Sequence, residues 1–154
     1  PIAFKREKAM ELGATHAFES IEEAADFGRS VTNGQGADKV LITVGILTGE
    51  HVAQGVEALG KGGRVVITGL GDLADNGIPI NPSMLALFTK EIRGALFGDQ
   101  NPSADMLKML RLYQEGTLKL DELITTRYKL DDINKGYEDL HAGKNLRGVI
   151  VYDQ

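Results

Sequence analysis

The chain has 154 residues, 42% hydrophobic and 25% charged, with 19 Gly and only 4 Pro, a composition that supports a packed core and excludes disordered and fibrous classes. A formal net charge of -5, with no Lys/Arg run longer than Lys5-Arg6, argues against a surface that tracks phosphate backbones, so no nucleic-acid partner is expected. No apolar stretch is long enough to span a bilayer, no signal-peptide layout opens the chain, and there is no Cys for a disulfide or thiolate ligand, which together point to the cytoplasm.

In chain order, Lys5 to Leu12 has helical spacing, with Phe4, Met10 and Leu12 as expected buried positions and Gly13 as the stop. Ala14 to Phe18 reads as a short strand. Ser20 with Glu23 three residues later is a capping-box pattern, and the helix it starts ends at Asn33-Gly34-Gln35-Gly36. Lys39 to Val44 is a nearly continuous apolar run, as in a parallel strand buried on both faces. A helix over Thr48 to Leu59, closed by Gly60 to Gly63, leads to a buried strand over Arg64 to Gly69. Asp72 to Pro82 is rich in turn residues, and Pro82 opens a short helix through Phe88. A strand over Ile92 to Phe97 precedes a helix over Ser103 to Glu115, whose stripe Met106, Leu107, Met109, Leu110 and Tyr113 has core spacing. The remainder reads strand (Leu123 to Tyr128), helix (Asp131 to Ala142) and strand (Arg147 to Tyr152).

This alternation implies right-handed crossovers and an α/β fold with a doubly wound parallel sheet. Composition becomes more polar after Gly116, which sets the expected division at residues 1–116 and 117–154.

Most candidate motifs have a structural explanation. Gly69-Leu-Gly-Asp-Leu-Ala74 fits a loose dinucleotide-binding pattern, but Asp72, Asp75, Asn76, Gly77 and Pro79 follow it and would break the helix whose free N-H groups meet a pyrophosphate. It reads instead as a loop at the carboxyl end of a strand. His16, His51 and His141 match no metal-ligand spacing. There is no Gly-x-Ser-x-Gly elbow, and Tyr113, Tyr128 and Tyr137 each lack a Lys four residues later. Glu22-Glu23 and Asp131-Asp132 sit at expected helix starts, where carboxylates offset the helix dipole.

Five segments in order carry a resemblance: Thr32 to Asp38, Gly62 to Gly69, Ile92 to Gly98, Leu123-Ile-Thr125, and Gly143-Lys-Asn-Leu-Arg147. Over essentially its whole length the chain resembles the carboxyl half of a zinc-dependent medium-chain alcohol dehydrogenase. Arg93 to Gly98 and Leu123 to Thr125 resemble the class III-like branch, and within it the actinobacterial nicotinoprotein or nitrosodimethylaniline-dependent enzymes. The resemblance implies a Rossmann-type cofactor domain over 1–116 and a strand-helix-strand segment over 117–154 that returns to the catalytic domain. It assigns Lys5 to the adenosine ribose of NAD, and Thr43, Val44 and Gly45 to the cofactor ribose. Thr68, Gly69 and Leu70 fall beside the nicotinamide, and Ala95, Leu96 and Phe97 on its carboxamide. Arg147 falls on the pyrophosphate, where a planar guanidinium bonds phosphate oxygens in pairs.

The same resemblance implies what the chain does not carry: two earlier strands, the glycine-rich turn, the catalytic residues and the zinc ligands. Without those strands, Ala14 to Phe18 would stand roughly 14 Å from the next strand. The implied function is a hydride transfer between an alcohol/aldehyde pair and NAD, zinc-assisted in the intact enzyme, with zinc not bound by this chain. The chain alone should be inactive. Its partners would be the small-molecule alcohol or aldehyde, the amino-terminal half of the enzyme, and a second copy joined through the outer strand Ile92 to Phe97. Two rivals stay open: a zinc-free quinone or enoyl reductase of the same superfamily, and a non-catalytic nucleotide-binding or interaction module. NAD is favoured over NADP by resemblance alone, since Lys5-Arg6 could accommodate a 2'-phosphate.

Overall fold

A computed structural model describes residues 2–152. Pro1, which begins the opening helical segment in the sequence, and residues 153–154, which close the expected C-terminal segment, lie outside the described residues. In chain order the elements are α1 (Ala3–Glu11), α2 (Ile21–Val31), β1 (Ala37–Ile42), α3 (Gly49–Ala58), β2 (Leu59–Ile67), α4 (Pro82–Leu87), β3 (Glu91–Gly94), α5 (Pro102–Gln114), β4 (Ile124–Tyr128), α6 (Ile133–His141) and β5 (Arg147–Ile150). Single 3-10 turns lie at Leu96–Asp99, Asp121–Leu123 and Leu130–Asp132. The class is α/β, as expected, and both sheets are parallel. The chain divides into two compact units, Phe18–Gln100 and Pro1–Ala17 with Asn101–Gln154. Among the described residues no helix is long and apolar enough to cross a membrane.

The unit Phe18–Gln100 is built on a three-stranded sheet in the order β1-β2-β3. Ser20 Oγ accepts the N–H of Glu23 at 3.2 Å and starts α2, while the Glu23 carboxylate accepts the N–H of Glu19 at 3.1 Å. These bonds satisfy donors that a helix start leaves open. Ile42, Val52, Val56, Leu59 and Val65 form the buried core under α3. Gly55 lets α3 approach closely: a Cβ there would lie 3.2 Å from Ile42 Cδ1 and 3.4 Å from Val40 Cγ1.

Several expectations are corrected in this unit. Only one face of β1 is covered, and Leu41, on alternate parity to Val40 and Ile42, is 63% exposed. The glycines Gly60 to Gly63 do not close α3; they lie inside β2, where the pairing with β1 shifts register between Ala37 and Lys39. β3 stops at Gly94, and the backbone turns through Phe97 (φ 47°) and Gly98 (φ 75°) instead of continuing to Phe97 as a strand.

In the other unit, β4 and β5 pair from Ile124–Arg147 to Tyr128–Ile150. α6 lies on the Tyr128 ring, and a Cβ at Gly136 would stand 3.5 Å from Tyr128 Cδ2. Ala14 to Phe18, where the chain passes from one unit to the other, is irregular rather than a strand; among the described residues no strand pairs with it. Met10 on α1 is exposed, and so is the α5 stripe expected in a core, with Leu107 61% exposed. Tyr113, at the end of that stripe, donates from its hydroxyl to Asp121 Oδ2 at 2.7 Å.

Candidate functional site

The registers place Ile42, Ile67 and Gly94 abreast, so the three strands of the first sheet end at one level. Hydrogen bonds carry the pairing beyond the strands. Thr68 N and Thr68 Oγ1 each donate to Ile42 O at 3.1 Å, Ala95 N donates to Ile67 O at 2.9 Å, and Leu47 N donates to Leu70 O at 2.9 Å. Of the sequence-predicted residues, Thr43, Val44 and Gly45, Thr68, Gly69 and Leu70, and Ala95, Leu96 and Phe97 are thereby gathered on the carboxyl edge of one sheet. Gly69 faces Val44 so closely that a Cβ there would stand 2.6 Å from Val44 O.

None of these nine residues titrates; they offer backbone groups, two Thr hydroxyls and apolar surface. Such groups can hydrogen-bond a ligand and pack against it. Leu70 and Phe97 are 70% and 90% exposed. Beyond β3, the turn that carries Phe97 and Asp99 (φ 58°) is tied back by an ion pair between Arg93 Nη2 and Asp99 Oδ2. The segment Gly69 to Ala74 is a loop, as read from the sequence: Ala74 N donates to Asp72 Oδ1 at 2.9 Å, and the next helix begins only at Pro82.

Lys5 and Arg147 belong to the other unit. Lys5 is exposed on α1, and its Cε would lie 3.8 Å from a Cβ at Gly143. Gly143 sits at φ 67°, where a side chain is strained, and a Cβ there would displace the tip of Ile2, whose Cδ1 lies 2.4 Å away. Arg147 is exposed at the start of β5, and among the described residues no carboxylate lies within ion-pair distance of it.

Behind Arg147 lies a polar cluster that sequence reasoning missed. Asn145, 2% exposed, donates from Nδ2 to Tyr128 Oη at 3.1 Å. Tyr128 donates to Asp139 Oδ2 at 3.0 Å, and Lys135 Nζ donates to the same oxygen at 2.8 Å. Lys144 Nζ lies 3.6 Å from Asp139 Oδ1. The hydrogen bond from Lys135 holds the Asp139 carboxyl below the usual carboxylate range, against the opposing effect of desolvation and with help from the Tyr128 hydroxyl. A cavity of about 280 Å³ adjoins the cluster, lined by Tyr128, Tyr137, Leu140, Asn145, Arg147 and Ile150 among others. Its one sequence signal is the Lys135–Asp139 spacing of four on a helix face.

The three histidines occupy separate places. His51 Nδ1 accepts the Thr48 N–H at 3.2 Å at the start of α3, His16 Nδ1 lies 3.1 Å from Thr15 Oγ1, and His141 ends α6. Among the described residues no group of three or more His, Cys, Asp or Glu could hold a metal ion. Lys90, which follows α4, is likewise structural: its ammonium donates to Val56 O at 2.8 Å, and burial lowers its pKa.

Comparison with known proteins agrees with this architecture. The chain is 51% identical over 152 residues to an NDMA-dependent alcohol dehydrogenase of Amycolatopsis methanolica, covering 99% of this chain and 41% of that protein. It is 45% identical over 152 residues to alcohol dehydrogenase B of Mycobacterium tuberculosis (strain ATCC 25618 / H37Rv), covering 99% of this chain and 40% of that one. Among solved structures, an alcohol dehydrogenase zinc-binding domain protein from Burkholderia ambifaria superposes with a TM-score of 0.86 at 29% identity, covering 99% of this chain and 40% of that chain. Benzyl alcohol dehydrogenase from Acinetobacter calcoaceticus gives 0.82 at 28% identity, over 97% of this chain and 40% of that one. The chain therefore spans about two fifths of the length of the curated relatives it matches. Residues 1–115 match the zinc-binding dehydrogenase family, and the chain belongs to that family.

Proposed function

We propose that this chain is the cofactor-holding carboxyl part of an NAD-dependent alcohol dehydrogenase. In that reading residues 1–116 form part of a Rossmann-type domain and residues 117–154 return to the catalytic domain. The observation that carries the proposal is the level ending of β1, β2 and β3, where ligands of open parallel sheets sit. Thr43 to Gly45 would flank the cofactor ribose. Thr68 to Leu70 would lie beside the nicotinamide, with Gly69 leaving the backbone open, and Ala95 to Phe97 would present main-chain groups to the carboxamide. Lys5 would bond the adenosine ribose, and Arg147 would pair with the pyrophosphate.

Bound NAD would supply the hydride acceptor for an alcohol or the donor for an aldehyde. This chain's residues would hold the ring in place and keep bulk water from its inner face. A resident zinc does not fit the described residues, which hold no suitable cluster of donors, so its ligands would lie elsewhere in the enzyme. We further place the enzyme in the cytoplasm and pair two copies through the open edge of β3.

The test is an NADH titration, followed by fluorescence, of the full-length protein that contains this chain. Arg147→Ala should weaken NADH binding about tenfold, the loss of one charge-assisted contact. Treatment with a chelator should abolish alcohol oxidation. Retained oxidation by a zinc-free preparation would favour the reductase reading, and NADH binding with no turnover of any alcohol would favour the non-catalytic module.

A further inference from the structure

Asn145 sits two residues before Arg147, in the loop between α6 and β5, and is the most buried polar side chain described. Its Nδ2 bonds the Tyr128 hydroxyl, which bonds Asp139, which bonds Lys135. The chain of bonds therefore fastens the loop to β4 on one side and to α6 on the other. Leu146 N adds a bond to Thr125 Oγ1 at 3.0 Å, again on β4. Packing follows the same line: a Cβ at Gly148 would stand 2.7 Å from Tyr128 Cε2 and 3.2 Å from Asn145 Nδ2. Asn145 and Leu146 are thus bonded to β4, Gly148 packs under the Tyr128 ring, and the backbone of Arg147 between them pairs with Ile124 of β4. The Arg147 side chain is exposed, with no carboxylate partner among the described residues.

We propose that Asn145, acting through Tyr128 and Asp139, is a positioning residue that holds the backbone of Arg147 so that its guanidinium meets the cofactor pyrophosphate. The inference rests on the reading of Arg147 given above. A long, flexible side chain loses binding energy to the entropy of being ordered, and a backbone already fixed at its root reduces that loss. The polar cluster supplies this rigidity because Asn145, Tyr128 and Asp139 are buried and bonded in series, an arrangement with one low-energy geometry. The Asn145 Oδ1 atom has no partner among the described residues, so the side chain is held from its Nδ2 end, and removing the Tyr128 hydroxyl releases it.

The experiment measures NADH dissociation constants, steady-state constants and melting temperatures for the full-length protein and four variants: Arg147→Ala, Asn145→Ala, their combination, and Tyr128→Phe. Asn145→Ala should weaken NADH binding about tenfold, with the loss in KM for NAD rather than in kcat at saturation. The combined variant should bind no more weakly than Arg147→Ala alone, because both changes remove one contact. Tyr128→Phe keeps the ring against Gly136 and Gly148 and should weaken binding in the same direction. It decides the matter if Asn145→Ala does not fold. A lower melting temperature with unchanged NADH affinity in both single cluster variants overturns the inference, as do effects of Asn145→Ala and Arg147→Ala that multiply. An unchanged affinity in Arg147→Ala overturns the reading of the site itself, and the positioning role with it.

Discussion

Gly69 shows how a single residue sets the geometry of the strand ends. Its neighbour is not a side chain that could rotate away but the Val44 carbonyl, 2.6 Å from where a Cβ would be. Gly69→Ala must therefore push the ends of β1 and β2 apart and strain the bonds from Thr68 to Ile42. Overpacking of this kind costs about 1–3 kcal/mol, and we expect a lower unfolding midpoint together with weaker NADH binding in the full-length protein. A variant as stable as the wild type, with unchanged affinity, would show that the strand ends are free to separate. Phe97 presents the opposite case. A non-glycine residue at φ 47° is held where side chains are strained. The turn around it is secured by the Arg93–Asp99 ion pair rather than by its own sequence preference.

At the scale of elements, α6 carries a pH-dependent contribution to stability. Asp139 titrates below the usual carboxylate range, chiefly because Lys135 bonds its charged form. Its contribution is therefore complete above the unfolded carboxylate value of about 3.9 and is lost as pH falls through the lower folded value. Lys135 is raised by the same bond, so its contribution is complete below an unfolded value of about 10.4 and is lost as pH rises through the folded one. Asp139→Asn should lower the urea midpoint at pH 7, and the gap to wild type should close on acidification towards pH 3. A gap that is constant over that range would mean the carboxylate charge plays no part. The elements also divide by how far the sequence announced them. α2, β1, α3 and the core of β2 are readable from the Ser20–Glu23 cap and the apolar runs, which are local signals, whereas Gly60 to Gly63 punctuate no helix end and lie within β2. The Ala14 to Phe18 strand failed because a strand exists only against a partner. The short β3 failed because a left-handed Phe97 has no compositional sign. That Thr43, Thr68 and Ala95 follow the ends of adjacent strands is legible from strand order. The Tyr128–Asp139–Asn145 cluster is not legible, since it joins single polar residues from β4, α6 and a loop, which carry no period to detect.

For the whole molecule, the exposures and the chemistry point the same way. Leu41 on β1 and, in the other unit, Leu107 on α5 are apolar residues at core spacing, each with more than half its surface open. The residues gathered at the strand ends carry no titrating side chain, and the described residues contain no metal-holding cluster. Binding surface without a proton carrier or a Lewis acid can lower the barrier only by holding reactants in place, and an alcohol that must lose both a proton and a hydride needs more than that. We therefore expect residues 1–154, expressed by themselves with NAD, zinc and a primary alcohol, to produce no NADH above the rate without protein. Supplying the remaining polypeptide of the full-length enzyme in the same cell should restore NADH production, and Arg147→Ala in that pair should weaken it through KM for NAD. Turnover by the chain alone would place the chemistry among residues assigned here to binding.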